Sequence, residues 1–259
     1  MSRDAWNPDQ YEHFHDERSR PFRDLLALVR PRPGMRVVDL GCGTGELTEE
    51  MHRTLGAQET VGVDSSDAML ARARDRVADG LRFERGDIAE FAPGPRFDLV
   101  FSNAALHWLP DHATLVRRLA GALREGGQLA VQVPANYDHP SHTVAREVAD
   151  EEPFRSALGA ARDAQPGVLA PEKYAAILDG LGATDQHVRL QVYAHRLSAR
   201  DEVVEWTKGT LLTAYERRLP ADVFAQFLGR YRERLLPRLE DTRPHLFLFK
   251  RILMWAQTP

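Results

Sequence analysis

Asp39-Leu40-Gly41-Cys42-Gly43-Thr44-Gly45 sets three glycines at alternate positions directly after a short apolar run. Between a strand and a helix, such glycines let the backbone turn sharply and approach a ligand closely. Two cofactor classes use that geometry. A dinucleotide site favours G-x-G-x-x-G, and counting from Gly41 the third glycine falls at position 46, which is Glu46. A carboxylate at a helix N-terminus repels a pyrophosphate bound there. S-adenosylmethionine has no phosphate and carries a sulfonium and an ammonium, so nearby acids such as Asp39 are tolerated or helpful. The loop, with Gly41, Cys42 and Gly43 closest to the turn, is therefore expected to take S-adenosylmethionine.

Asp64 ends the run Val61-Gly62-Val63, 23 residues beyond Gly41. That is near the spacing of about 20 at which an acid grips ribose hydroxyls. Ser65 and Met69 follow it and are expected to line the same ligand. In Arg85-Gly86-Asp87-Ile88, Asp87 can accept from an adenine amino group while Ile88 packs on the ring. Asn103 ends a fourth apolar run. All of these positions converge if the runs are parallel strands, because ligands sit outside the carboxyl ends of such strands.

The elements that would position them alternate along the chain. Arg36–Leu40, Thr60–Val63, Leu81–Glu84, Phe97–Ser102 and Gln128–Val133 read as strands. Glu46–Leu55, Ser66–Val77 and Asp111–Leu123 read as helices between them, with a turn at Gly126-Gly127 before the fifth strand. Beyond Pro134, Ser141–Asp150 and Glu172–Leu181 read as helices, and Asp185–Leu197 and His245–Trp255 as strands. The fold class expected is α/β: a doubly wound, mostly parallel seven-stranded, Rossmann-like sheet. Asn7-Pro8 and Ser19 with Pro21 each read as a helix start, giving two N-terminal helices over 7–30. Arg200–Tyr215 and Ala221–Leu239 read as long helices between the last two strands, too long for a hairpin connection. They are expected to form a lid over 198–243. The whole chain is expected to be one domain, with 31–134 as its cofactor-binding half.

Bulk composition narrows the class. The chain has 259 residues, 43% hydrophobic and 28% charged, with net charge −4. A nucleic-acid binder carries a basic excess, so no nucleic-acid partner is expected. No apolar run is long enough to span a bilayer, and no membrane partner is expected. With one cysteine there is no intrachain disulfide and no cysteine-based zinc site. His139, His142, His187 and His195 lack metal-ligand spacing, so no metal is expected. The expected setting is cytoplasmic, as a monomer or weak homodimer acting on a small molecule.

Taken together, these residues resemble the class I S-adenosylmethionine-dependent methyltransferases and, more narrowly, the trans-aconitate methyltransferases. The narrower resemblance runs from Trp6-Asn7-Pro8 to the last strand. It is carried by Arg18-Ser19-Arg20-Pro21, by His107-Trp108-Leu109-Pro110-Asp111-His112, by Pro140-Ser141-His142 and by Trp206-x-Lys208-Gly209-Thr210. It implies methyl transfer to a carboxylate of a small polycarboxylic acid, giving a monomethyl ester. The chain departs from the pattern in the lid, where Thr213-Ala214 stands in place of an Arg-Pro pair. Thr cannot replace the bidentate carboxylate grip of Arg.

A carboxylic acid is already ionised at neutral pH, so the machinery needed is a set of groups that hold an anion and exclude water. The candidates are His107 and Tyr11 beside the reacting atoms, with Arg18, Arg20, Tyr193, Lys208, Tyr215 and Arg251 binding the acceptor. A rival reading is methylation of a hydroxyl, with His107 as general base. A second rival is a non-catalytic S-adenosylmethionine-binding protein.

Overall fold

The computed structural model describes residues 15–94, 96–159 and 167–259, with backbone alone at 15–18. Helix α1 (His15–Leu26) leads into β1 (Arg36–Leu40), α2 (Glu46–Leu55), β2 (Glu59–Asp64), α3 (Asp67–Ala73), β3 (Leu81–Arg85) and β4 (Phe97–Asn103). Then come α4 (His112–Ala120), β5 (Leu123–Pro134), α5 (Pro140–Ala149), α6 (Phe154–Leu158), α7 (Pro171–Asp179) and β6 (Asp185–Leu197). The last elements are α8 (Glu202–Lys208), α9 (Thr213–Glu216), α10 (Ala221–Leu235) and β7 (His245–Gln257). One seven-stranded sheet runs in the order β3-β2-β1-β4-β5-β7-β6. Its first five strands are parallel, and β7 lies antiparallel to both β5 and β6. This is the doubly wound, Rossmann-like sheet the sequence pattern predicts.

Strand alternation sorts the core into two layers. Val37, Leu99 and Phe101 face α1 and α2, where they pack on Phe22, Leu25 and Met51. Val38 and Val100 face the other way, against Leu115 and Leu119 of α4 and Tyr174 and Ile177 of α7. β1, β2, β4 and the second half of β5 are buried on both faces, which is why they read as continuous apolar runs.

The sixth and seventh strands reach past the sheet. β7 pairs with β5 only from Arg251 to Gln257, but with β6 along its whole length. Residues 192–197 and 245–250 therefore form a two-stranded ribbon. Its Leu197, Phe247 and Phe249 anchor a third apolar cluster with Val144 of α5, Trp206 of α8 and Phe227 and Tyr231 of α10. Residues 198–244 form a helical insertion seated on that ribbon.

Several boundaries differ from expectation, each for a local reason. α1 does not restart at Ser19 and Pro21 but runs through them from His15; the start expected at Asn7-Pro8 lies outside the described residues. The α4 helix stops at Ala120, because Gly126-Gly127 is a bulge inside β5 and not a turn before it. The register with β4 jumps there, and Gly126 takes φ 67°. The helix expected over Ser66–Val77 ends at Ala73 and tightens to one 3-10 turn. Arg200–Tyr215 is two helices, not one. Gly209 caps α8, and the hydroxyls of Thr210 and Thr213 donate to the carbonyls of Trp206 and Thr210, competing with the helical ladder. α10 gives way at Leu236 to a 3-10 turn containing Pro237, which lacks an amide proton. The short α6 carried no helical period long enough to read.

Candidate active site

The glycine loop lies at the carboxyl end of β1. Gly41 and Cys42 donate their amides to Val63 O at 2.8 and 3.1 Å. Gly41 holds φ 82°, and a Cβ there would lie 2.3 Å from the Ala105 Cβ. A side chain at that position is excluded both by backbone strain and by contact. At Gly43 a Cβ would meet nothing within 4 Å, so the backbone is open to a ligand.

Asp64 organises the loop from β2. Its Oδ2 accepts from Gly43 N and its Oδ1 from Ser66 N, both at 2.9 Å. Ser66 in turn caps α3 by accepting from Met69 N. The carboxylate is thus fixed at the rim of the loop. Gly41, Gly43, Asp64, Ser65 and Met69 line one side of a cleft, and Asp87, Ile88, Asn103, Ala104 and Ala105 the other. Trp108, Leu109 and Arg217 close it. The Asp87 carboxylate accepts from Ala89 N at 2.8 Å, and Arg118 of α4 clamps the carbonyls of Ile88 and Ala89. Asn103 Oδ1 is buried with no hydrogen-bond partner. The two acids Asp64 and Asp87, the apolar Ile88 and the open glycine backbone that line one cleft fit S-adenosylmethionine.

Two of the expected cofactor residues lie under the loop and not in the cleft. Asp39 is buried and accepts from Thr48 Oγ1 at 2.5 Å. Burial raises its pKa to about 7, against the Thr48 hydrogen bond, with the charge of Asp64 adding to the rise. The Cys42 sulfur faces Gly62, and burial with the two nearby carboxylates pushes its thiol pKa up.

Beyond β4 the cleft meets a wall of a different kind. Gln132 of β5, Arg251, Phe249 and Phe247 of β7, and Tyr193 and His195 of β6 share one face of the sheet by register. Arg251 is 5% exposed, and its Nη1 donates to Gln132 Oε1 at 3.4 Å. Arg20 from α1 and Arg251 approach the Tyr193 ring at 5.8 and 5.9 Å. The Tyr193 hydroxyl is engaged, donating to Asp24 at 2.8 Å. His107 follows β4 in a 3-10 turn, stacked near Trp108. Burial first, then Arg251, His112 and His142, push its pKa down to about 3. Its Nδ1, the Gln132 Nε2 and the His195 Nε2 are buried without hydrogen-bond partners.

Of the candidates for the acceptor, His107, Arg20, Tyr193 and Arg251 are brought to this wall. Lys208 pairs with Glu205 one turn away on α8, at 2.8 Å. Tyr215 stacks on Phe227 at 4.7 Å inside the insertion's own core. Tyr11 and the Arg18 side chain lie outside what the structure describes. Gln132, His195 and Arg217 were missed by sequence reasoning. Gln132 did leave a signal, as the one polar residue within Ala130-Val131-Gln132-Val133. Among the described residues there is no cluster of three or more acids, histidines or cysteines able to hold a metal, and no helix long and apolar enough to cross a membrane.

The buried histidines make a stability prediction. His142 is pushed to about 3 by burial, with His139 and Arg146 adding to the fall. The unfolded chain takes up that proton near pH 6.5, so the stability contribution is intact above that pH and is lost as pH falls toward 3. The slope is about 1.4 kcal/mol per pH unit. His142→Phe should therefore lose about 2 kcal/mol less than the parent between pH 7 and pH 5. Denaturant titrations at the two pH values measure this, and equal losses in both proteins would contradict it.

The sheet order, the glycine loop and the paired acids at the strand ends define a class I S-adenosylmethionine-dependent methyltransferase, with S-adenosylmethionine as methyl donor. The family described as "Methyltransferase domain" matches residues 37–127. The YcgJ protein of Bacillus subtilis has a similar fold, with TM-score 0.60 at 17% identity over 93% of this chain and 98% of that one. Phosphoethanolamine N-methyltransferase 2 of Haemonchus contortus, solved with S-adenosyl-L-methionine, matches with TM-score 0.53 at 19% identity over 93% of this chain and 52% of that one. A trans-aconitate 2-methyltransferase of Deinococcus radiodurans is 47% identical over 98% of this chain and 99% of its own length. The chain belongs to the trans-aconitate 2-methyltransferase family.

Proposed function

We propose that the protein methylates one carboxylate of a small polycarboxylic acid of the trans-aconitate kind, releasing a monomethyl ester. The observation that supports this most is the composition of the acceptor wall: two guanidiniums, Arg251 and Arg20, beside a histidine that stays neutral. S-adenosylmethionine supplies an electrophilic methyl on a sulfonium, and its transfer to a carboxylate oxygen cancels one positive and one negative charge. No proton has to move. Arg251 holds and orients the acceptor anion, His107 and Gln132 offer it neutral hydrogen bonds, and Trp108 and Leu109 keep water from the line of transfer. Residues 198–243 act as the lid, with Arg217 reaching over the cleft.

Methylation of a hydroxyl needs a base whose pKa is near the working pH. An imidazole held near 3 is a poor one, which disfavours the rival role for His107. The test is turnover with methyl-labelled S-adenosylmethionine against trans-aconitate, related di- and tricarboxylic acids and a set of phenols, read by mass spectrometry. Ester from the polyacids and none from the phenols is expected. Phenol ethers as the main product would overturn the reading, and cofactor binding with no product from any acceptor would favour a non-catalytic role.

A further inference from the structure

We propose that His195 is a specificity residue of the acceptor pocket, binding a carboxylate of the acceptor other than the one methylated. The assignment rests on the carboxylate reading above and goes beyond it. His195 is 7% exposed, on β6, with its ring stacked beside Tyr193 and 4.8 Å from Trp206 of α8. Its Nε2 has no hydrogen-bond partner. A buried polar atom left unsatisfied is destabilising, so a ligand that completes it gains affinity, about tenfold or more. The charged groups that act on it are Arg251 of β7 and Arg20 of α1, both positive. Asp24 of α1 is held by the Tyr193 hydroxyl, and Phe247 and Trp206 pack against the ring. No described carboxylate is hydrogen-bonded to Arg20. A neutral imidazole under the influence of two cations, with a buried nitrogen left unpaired, suits an anion.

Position separates this anion from the reacting one. The cofactor cleft ends at β4, where Asn103 and His107 stand. His195 is on β6, three strands further across the sheet order, which is roughly 14 Å at ordinary strand spacing. Arg251 lies between, since it acts on both His107 and His195. An acceptor spanning that wall meets His107 at its reacting end and His195 with Arg20 at its far end. A bound anion also favours the imidazolium. Burial and the two guanidiniums hold the empty group near pKa 4, so binding of a polyacid should draw a proton onto it and strengthen as pH falls.

The test compares trans-aconitate with crotonate, an unsaturated acid with one carboxylate, in the parent, His195→Phe and Arg20→Ala. The expected result is a KM for trans-aconitate about tenfold higher in each variant, with kcat changed much less and the crotonate KM unchanged. In the parent, the trans-aconitate KM should fall from pH 8 to pH 6, and in His195→Phe that slope should flatten. Equal KM changes for both acids, or none, would overturn the proposal. Should His195→Phe fail to melt cooperatively, the exposed Arg20→Ala decides by the same contrast between acids. If the parent esterifies no carboxylic acid at all, the proposed function falls first and this assignment falls with it. Ester from both acids in the parent, with KM values shifted alike in the variants, removes only the assignment.

Discussion

Arg251→Met is expected to lower kcat/KM for a carboxylate acceptor by about two to three orders of magnitude, while leaving the affinity for S-adenosylhomocysteine within a factor of a few. The magnitude follows from burial. Removing one partner of a desolvated charge pair costs about 2–5 kcal/mol, and each 1.4 kcal/mol is tenfold. Arg251 is 5% exposed and braced by the Phe249 ring at 4.9 Å and by Gln132, so its guanidinium is preorganised. Met keeps the packing volume of the stem and removes the charge. Lys should restore only part of the rate, because a point charge cannot reproduce the planar fork. The residues proposed to hold the cofactor follow β1 to β4, two to five strands from Arg251 in the sheet order, which is why binding of the product cofactor should be spared. Steady-state kinetics and calorimetry together decide the matter. A variant that loses cofactor affinity as steeply as turnover would place Arg251 in the fold and not at the acceptor.

Asp64→Ala is expected to weaken S-adenosylhomocysteine binding by about a hundredfold or more. Hydrogen bonds to a charged group contribute about 1.5–3 kcal/mol each, and this carboxylate is proposed to accept from the ribose hydroxyls. It also fastens Gly43 N and Ser66 N at 2.9 Å, so its loss loosens both the loop and the start of α3. Asp64→Asn retains one acceptor oxygen and should fall between the parent and Ala. Calorimetric titration with S-adenosylhomocysteine gives the comparison. Affinity within threefold of the parent for both variants would mean that the ribose is gripped elsewhere.

The cofactor half was legible because its information is local. Gly41, Gly43 and Asp64 stand within one β-α-β unit, and the spacing along the chain fixes their spacing in space. The acceptor wall was not, because register assembles it from distant strands. Tyr193 sits opposite Phe249 and His195 opposite Phe247 only once β7 has entered antiparallel between β5 and β6. Periodicity shows that a strand exists, but not which neighbour it takes. The same limit explains Lys208 and Tyr215. Both lie in the insertion between β6 and β7, but there Lys208 pairs with Glu205 on its own helix and Tyr215 stacks on Phe227. Thr213, which departs from the family pattern, is 7% exposed and donates to Thr210 O. One turn further on, Arg217 donates its amide to Thr213 O and lines the cleft, so this part of the chain still presents a cation there.

The insertion leaves the sheet at Leu197 and returns at His245, and these two residues are direct register partners. Its two ends therefore stand one strand spacing apart, as the ends of a tight hairpin would. A segment so attached can be exchanged for another of different length without disturbing the pairing on either side. The strands that carry Gln132, Tyr193, His195 and Arg251 stay in place in such an exchange, and only what the insertion packs over them changes. A laboratory graft between Leu197 and His245 would therefore exchange the helices around Trp206 while the paired strands beneath keep their register.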